Sequence, residues 1–113
     1  MLKQRIDILE NAGVISNDVS QYVKEVIDLL SPKFSDKESL MEMFTTHLAM
    51  ATQRVVENGE VEVLDDVIWQ DVLHSPSYEK AVLICDEITK DAPCEFPEGE
   101  KRFILMHLCN LNQ

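Results

Sequence analysis

Apolar residues recur at intervals of three and four along most of the chain, the spacing that places side chains on one face of an α-helix. The first such stripe begins at Leu2 and ends before Gly13, a residue suited to the left-handed conformation that follows many helices. In the second stripe, Ser16 or Asn17 is in position to cap the first turn, and Pro32 bars continuation. The pattern therefore predicts two helices in the N-terminal part of the chain.

The third stripe predicts the longest helix, of about six turns at the α-helical period. Residues 35–38, Ser-Asp-Lys-Glu, have the form of a capping box and would open it, and Asn58 and Gly59 would end it. The residues on its predicted buried face are Leu40, Met43, Phe44, His47, Leu48, Ala51 and Val55.

Residues 61–73 are ambiguous between strand and helix. The first of them alternate as in a strand, but Leu64, Val67 and Ile68 recur at helical spacing, and helix is favoured. A fifth helix would follow, capped by Ser77 or by Ser75, and a last one would begin near Glu98.

The chain lacks a pair of alternating segments joined by a two-residue hairpin turn, so an all-α fold is the economical prediction. Its 113 residues suffice for one domain, and contents of 45% hydrophobic and 27% charged residues are those of a globular protein. We expect a single domain over residues 1–113 that forms a compact bundle of five to six helices.

A net charge of −11 disfavours direct binding to nucleic acid, since phosphate backbones would be repelled and the Lys101–Arg102 pair stands alone among acidic neighbours. No stretch approaches the ~18 apolar residues needed to span a bilayer, so no membrane partner is expected. The first residues interleave charges with aliphatic side chains and lack a secretory hydrophobic region, so the cytoplasm is the expected location. Three cysteines without a Cys-x-x-Cys pairing fit a reducing compartment.

Two histidines on predicted helices are the candidates for chemistry. His47 is followed seven positions later by Arg54, and His107 is preceded seven positions earlier by Glu100, so each histidine shares a helical face with a charged residue. A neutral imidazole beside a charge can transfer protons, ligate a metal or accept a phosphoryl group. Either histidine could equally be a satisfied core or interface residue.

The sequence carries no signature of an enzyme. A Gly-x-Ser-x-Gly nucleophile turn, a His-x-x-x-His or Glu-x-x-His metal motif and a glycine-rich phosphate loop are all missing. We therefore expect a non-enzymatic protein without a cofactor or a metal. Convergence of the two histidines with an acidic residue in space would leave a small metal-dependent enzyme as a minor alternative.

The order of these residues resembles a known family, the phosphotransferase-system regulation domain, or PRD. The chain has His47-Leu-x-x-Ala-x-x-Arg54 and, some fifty residues later, Pro97-x-x-Glu100-x-x-Phe-x-x-x-His107-Leu. The resemblance covers residues from about 15 to 110.

The resemblance implies a bacterial regulatory domain that forms homodimers and controls transcription or antitermination. It also implies that His47 and His107 are phosphoryl acceptors, with the phosphocarrier protein HPr or a sugar-specific phosphotransferase component as donor. Arg54 could then bind the phosphate on His47, and Glu100 could hold the His107 ring in one tautomer before transfer or repel the phosphate after it.

A second hypothesis is a PRD scaffold that is not phosphorylated and serves as an adaptor or as a dimeric accessory subunit of a metabolic pathway. Two features motivate it. Family members that are phosphorylated often have an acidic residue immediately before the first histidine, where this chain has Thr46. Members also usually carry two copies behind an effector domain, whereas we expect a stand-alone single copy here.

Overall fold

Six α-helices make up the secondary structure of residues 2–113, the part of the chain that the computed structural model describes, and this part contains no strand. In chain order they are α1 (Leu2–Asn11), α2 (Asn17–Leu30), α3 (Glu38–Val56), α4 (Asp66–Leu73), α5 (Tyr78–Thr89) and α6 (Glu98–Leu111). The predicted all-α bundle is confirmed. Within residues 2–113, every helix is too short or too polar to cross a membrane.

The predicted ends of the first two helices are confirmed. Gly13 follows α1 with φ of +77°, and the Ser16 side chain caps α2 by accepting a hydrogen bond from the backbone N–H of Val19 at 3.3 Å. The predicted capping box is wrong, because α3 begins at Glu38 with no side-chain hydrogen bond to its first turn. Residues 31–37 instead form a compact turn in which Phe34 N–H donates to the Leu30 carbonyl, so Ser35 lies three residues before the helix and cannot cap it.

The ambiguous segment divides into two parts. Residues 59–65 have no regular structure, and α4 begins only at Asp66, where the Asp65 carboxylate accepts a hydrogen bond from Val67 N–H at 2.8 Å. The helix prediction is therefore confirmed for the second half of 61–73 alone. Leu64 is nevertheless buried, which holds the irregular segment against the core.

The core lies where α3 meets its neighbours, since α3 packs against α1, α2 and α6, while α6 also packs against α4 and α5. The fully buried face of α3 includes Met41, Phe44 and Leu48. Met43 was predicted to be buried but is 60% exposed, because the buried face of α3 is centred on Met41, Phe44 and Leu48. The α3/α6 interface, which carries both candidate histidines, is thus in the middle of the bundle.

Gly99, in the first turn of α6, allows the irregular segment to pass close to that helix. A Cβ atom at this position would lie 2.8 Å from the Glu62 carbonyl oxygen and 3.1 Å from Val61 Cγ1. The backbone would have to shift, so we expect Gly99→Ala to lower the free energy of unfolding by ~1–3 kcal/mol despite the better helix propensity of alanine.

Urea unfolding followed by circular dichroism measures this effect. Lys101→Ala, at an exposed position two residues away, is the matched control and should change stability by less than ~0.5 kcal/mol. A more stable Gly99→Ala variant would contradict the close packing of residues 61–62 on α6.

Candidate functional site

The four residues that the sequence singled out lie together at the α3/α6 interface. The ring centroids of His47 and His107 are 5.0 Å apart, and Arg54 Nη2 is 3.1 Å from Glu100 Oε2. A step of seven residues forward on α3 is thus matched by a step of seven backward on α6, so the two helices are antiparallel. We call His47, Arg54, Glu100 and His107 the polar cluster.

The contacts within the polar cluster run between the helices. Glu100 contacts Arg54 and also approaches His47, with 4.0 Å between Oε1 and His47 Nε2. The sequence placed each histidine beside the charged residue of its own helix. In the structure, the carboxylate of α6 faces the histidine and the arginine of α3.

Arg54 is held between two carboxylates. Its Nη2 lies 3.1 Å from Glu100 Oε2 and 3.2 Å from Oε1 of Glu62, which belongs to the irregular segment. Glu100 is fully buried, and a carboxylate in that position requires a cation or several hydrogen bonds to offset its desolvation. Its place in the first turn of α6 adds a favourable interaction with the helix dipole. Glu62 belongs to no recognisable motif, so the sequence alone did not indicate its role in the site.

Aromatic rings surround both histidines. The His47 ring lies 5.2 Å from Phe103, and the His107 ring lies 5.8 Å from Phe44, measured between centroids. Burial lowers the pKa of His107 to about 4, with a further contribution from His47. Burial also lowers the pKa of His47, although the nearby Glu100 and Glu62 oppose the shift.

Both imidazoles are therefore neutral at pH 7, and the contact between His47 and Glu100 is not an ion pair at that pH. His47 Nε2 and Glu100 Oε1 are both buried without a hydrogen-bond partner. Each is a polar atom whose hydrogen-bonding capacity is unused, and such atoms are uncommon in folded proteins.

The two histidines differ in exposure. His107 is buried, whereas His47 is partly exposed and lines a solvent-open cavity of about 450 Å³. The other residues that line this cavity are Arg5, Glu42, Met43 and Thr46. Arg5, on α1, donates from Nε to Thr46 Oγ1 at 2.7 Å. Sequence reasoning missed Arg5, since its approach to α3 depends on how two helices pack.

The remaining candidates for chemistry are separate from the polar cluster. All three cysteines are free, and burial raises the pKa of the Cys85 thiol to about 11. His74 caps the C-terminal end of α4, with Nδ1 2.7 Å from the Gln70 carbonyl oxygen. Within residues 2–113, no three His, Cys, Asp or Glu side chains are grouped so that they could hold a metal ion.

The fold and the site define an all-α domain with two histidines facing each other across a helix interface. Residues 20–111 match the PRD domain, and the chain belongs to that family of phosphotransferase-system-type regulatory domains. The resemblance predicted from the histidine motifs is thereby confirmed.

A curated relative supports the match over nearly the whole chain. It is the uncharacterized protein YhfY of Escherichia coli (strain K12), 25% identical over 114 residues, an alignment that covers 97% of this chain and 93% of the relative. No solved structure is significantly similar.

Proposed function

We propose that this PRD domain accepts a phosphoryl group reversibly on His47 and that the added charge alters its contact with another protein. The observation that carries the proposal is the position of His47. It is a neutral imidazole at the wall of an open cavity, and its inner edge faces the buried Glu100. His107 is the less accessible of the two candidates, because it is buried against His47 and Phe44.

Glu100 favours the tautomer that phosphoryl transfer needs. With a proton on Nε2, the imidazole would direct its N–H towards Glu100 Oε1, and the lone pair would remain on Nδ1. Nε2 is buried, so a donor in the cavity would meet the Nδ1 edge of the ring. A phosphorylated donor such as HPr would transfer its phosphoryl group to Nδ1 as the bond to its own histidine breaks, and the donor histidine would leave without the phosphoryl group.

The phosphoryl group would disturb the polar cluster. It would add about two negative charges, by analogy with hydroxyl phosphates, to a ring that already faces the carboxylate of Glu100, and the added charge would repel that carboxylate. Because His47 belongs to α3 and Glu100 to α6, the repulsion would change how these helices pack. A surface formed by them, such as a homodimer contact, would then change with phosphorylation.

Mass spectrometry tests the proposal directly. After incubation with phosphoenolpyruvate, enzyme I and HPr, we expect one acid-labile adduct of ~80 Da, the mass of a phosphoryl group of the kind that carries the added charge. We expect His47→Ala to abolish it, and His107→Gln to retain it. His74→Gln, at an exposed position outside the polar cluster, is the matched control and should be labelled like the wild type. An adduct that persists in His47→Ala would refute His47 as the acceptor.

The adaptor hypothesis remains the second candidate because Arg54 already has two carboxylate partners without any phosphate. Since the charge of Arg54 is already balanced by these carboxylates, the polar cluster could serve only to join α3 to α6. Under this hypothesis the wild type acquires no adduct, and a partner copurified with it stays bound in His47→Ala.

A further inference from the structure

We propose that Arg5, anchored on Thr46, forms an oxyanion subsite that holds the phosphoryl group on His47. The inference deepens the proposed function and rests on it. Arg5, Thr46 and His47 line the same open cavity, so a group attached to the outer edge of the His47 ring would project among them. The ligand of the subsite is a phosphoryl oxyanion.

Arg54, the partner suggested by its spacing from His47, is a poor candidate for this role. Its Nη2 is engaged by Glu100 and Glu62. Recruiting it to a phosphate would leave the fully buried Glu100 without its cation, which is costly. A cation that can approach the phosphate without breaking a buried pair is needed.

Arg5 meets that requirement. Its Nε donates to Thr46 Oγ1 at 2.7 Å, which fixes the guanidinium beside the residue that precedes His47. Within residues 2–113, the carboxylate that lies within 4 Å of its terminal nitrogens is that of Glu42, at the long distance of 3.8 Å from Nη1. A planar guanidinium held in this way can bind two phosphate oxygens at once.

Thr46 contributes in a second way. Its hydroxyl accepts from Arg5, and the hydroxyl proton is still available for donation to a phosphate oxygen. Glu42 opposes the subsite, but at 3.8 Å from Nη1 its contact with Arg5 is longer than the 2.7 Å hydrogen bond to Thr46.

The equilibrium with phosphorylated HPr measures the contribution of Arg5. We expect Arg5→Gln to lower the equilibrium ratio of phosphorylated to unphosphorylated domain about fivefold, the effect of a favourable exposed ion pair. Arg5→Lys should restore part of the loss. Glu42→Gln should raise the ratio, because it removes the opposing charge.

Lys3→Gln is the matched control, because Lys3 is on the same helix and carries the same charge but binds Asp28 at 2.6 Å, away from the cavity. It should leave the ratio nearly unchanged. In ³¹P NMR, the pKa of the bound phosphoryl group should rise in Arg5→Gln and not in Lys3→Gln, since a nearby cation favours the dianion.

Three outcomes are informative. A selective effect of Arg5→Gln supports the subsite. Equal effects of Arg5→Gln and Lys3→Gln, with normal labelling of the wild type, would overturn the subsite and leave the proposed function standing. A wild-type chain that HPr does not label would overturn both.

Discussion

Arg54→Met is expected to lower the free energy of unfolding by about 3 kcal/mol, the range measured when one partner of a buried ion pair is removed. The substitution would leave the carboxylate of Glu100 fully buried without its cation. Arg54 itself is 29% exposed, which places the expected value at the lower end of that range. Methionine retains most of the volume of the side chain, so the loss reports mainly on charge.

A double-mutant cycle tests the pairing. The free energies of unfolding in urea are measured for Arg54→Met, for Glu100→Gln and for the double variant. The double variant should lose at least ~1 kcal/mol less than the sum of the two single losses. Lys3→Met, which removes a cation from an exposed pair with Asp28, should cost less than ~1 kcal/mol. Additive effects of the two substitutions would contradict a direct interaction between Arg54 and Glu100.

The second large effect is loss of stability in acid through His107. Its pKa is lowered from 6.5 to about 4 in the folded protein, so between these values the unfolded chain binds the proton more readily. The contribution to stability is fully present above pH 6.5 and is lost as the pH falls towards 4. A shift of this size corresponds to about 3 kcal/mol.

Comparison of the wild type with His107→Gln isolates this contribution. The free energy of unfolding measured at pH 7 and pH 4 should fall by about 3 kcal/mol more in the wild type than in the variant. Carboxylates that titrate over the same range are common to both proteins, so their effects largely cancel in the difference. Equal losses on acidification would show that His107 does not have to remain neutral in the fold.

The sequence predicted most of the helices because their signals are local. Ser16, Gly13 and the three-four spacing of apolar residues act within a few residues along the chain. The capping box predicted at 35–38 does not form, because burial of Phe34 in the core holds the preceding residues in a turn. The helix prediction failed for residues 61–65 because tertiary contacts, not a helical period, hold them: Leu64 is buried, Glu62 contacts Arg54, and Val61 lies close to Gly99.

The candidate site was predictable in its members but not in its contacts. Spacing along one helix placed Arg54 with His47 and Glu100 with His107. The partner across the interface depends on the antiparallel register of α3 and α6, which no local pattern specifies. Arg5 and Glu62 reach the site from a different helix and an irregular segment, so only the three-dimensional structure identifies them.

The buried pair between Arg54 and Glu100 also constrains how relatives of this chain can diverge. A lineage that loses one charge first would pass through a poorly stable intermediate, so the two positions should be replaced together or not at all. Glu62, which is half exposed, is free of this restriction and should vary independently. In an alignment of homologues, covariation is therefore expected between positions 54 and 100, and little between 54 and 62.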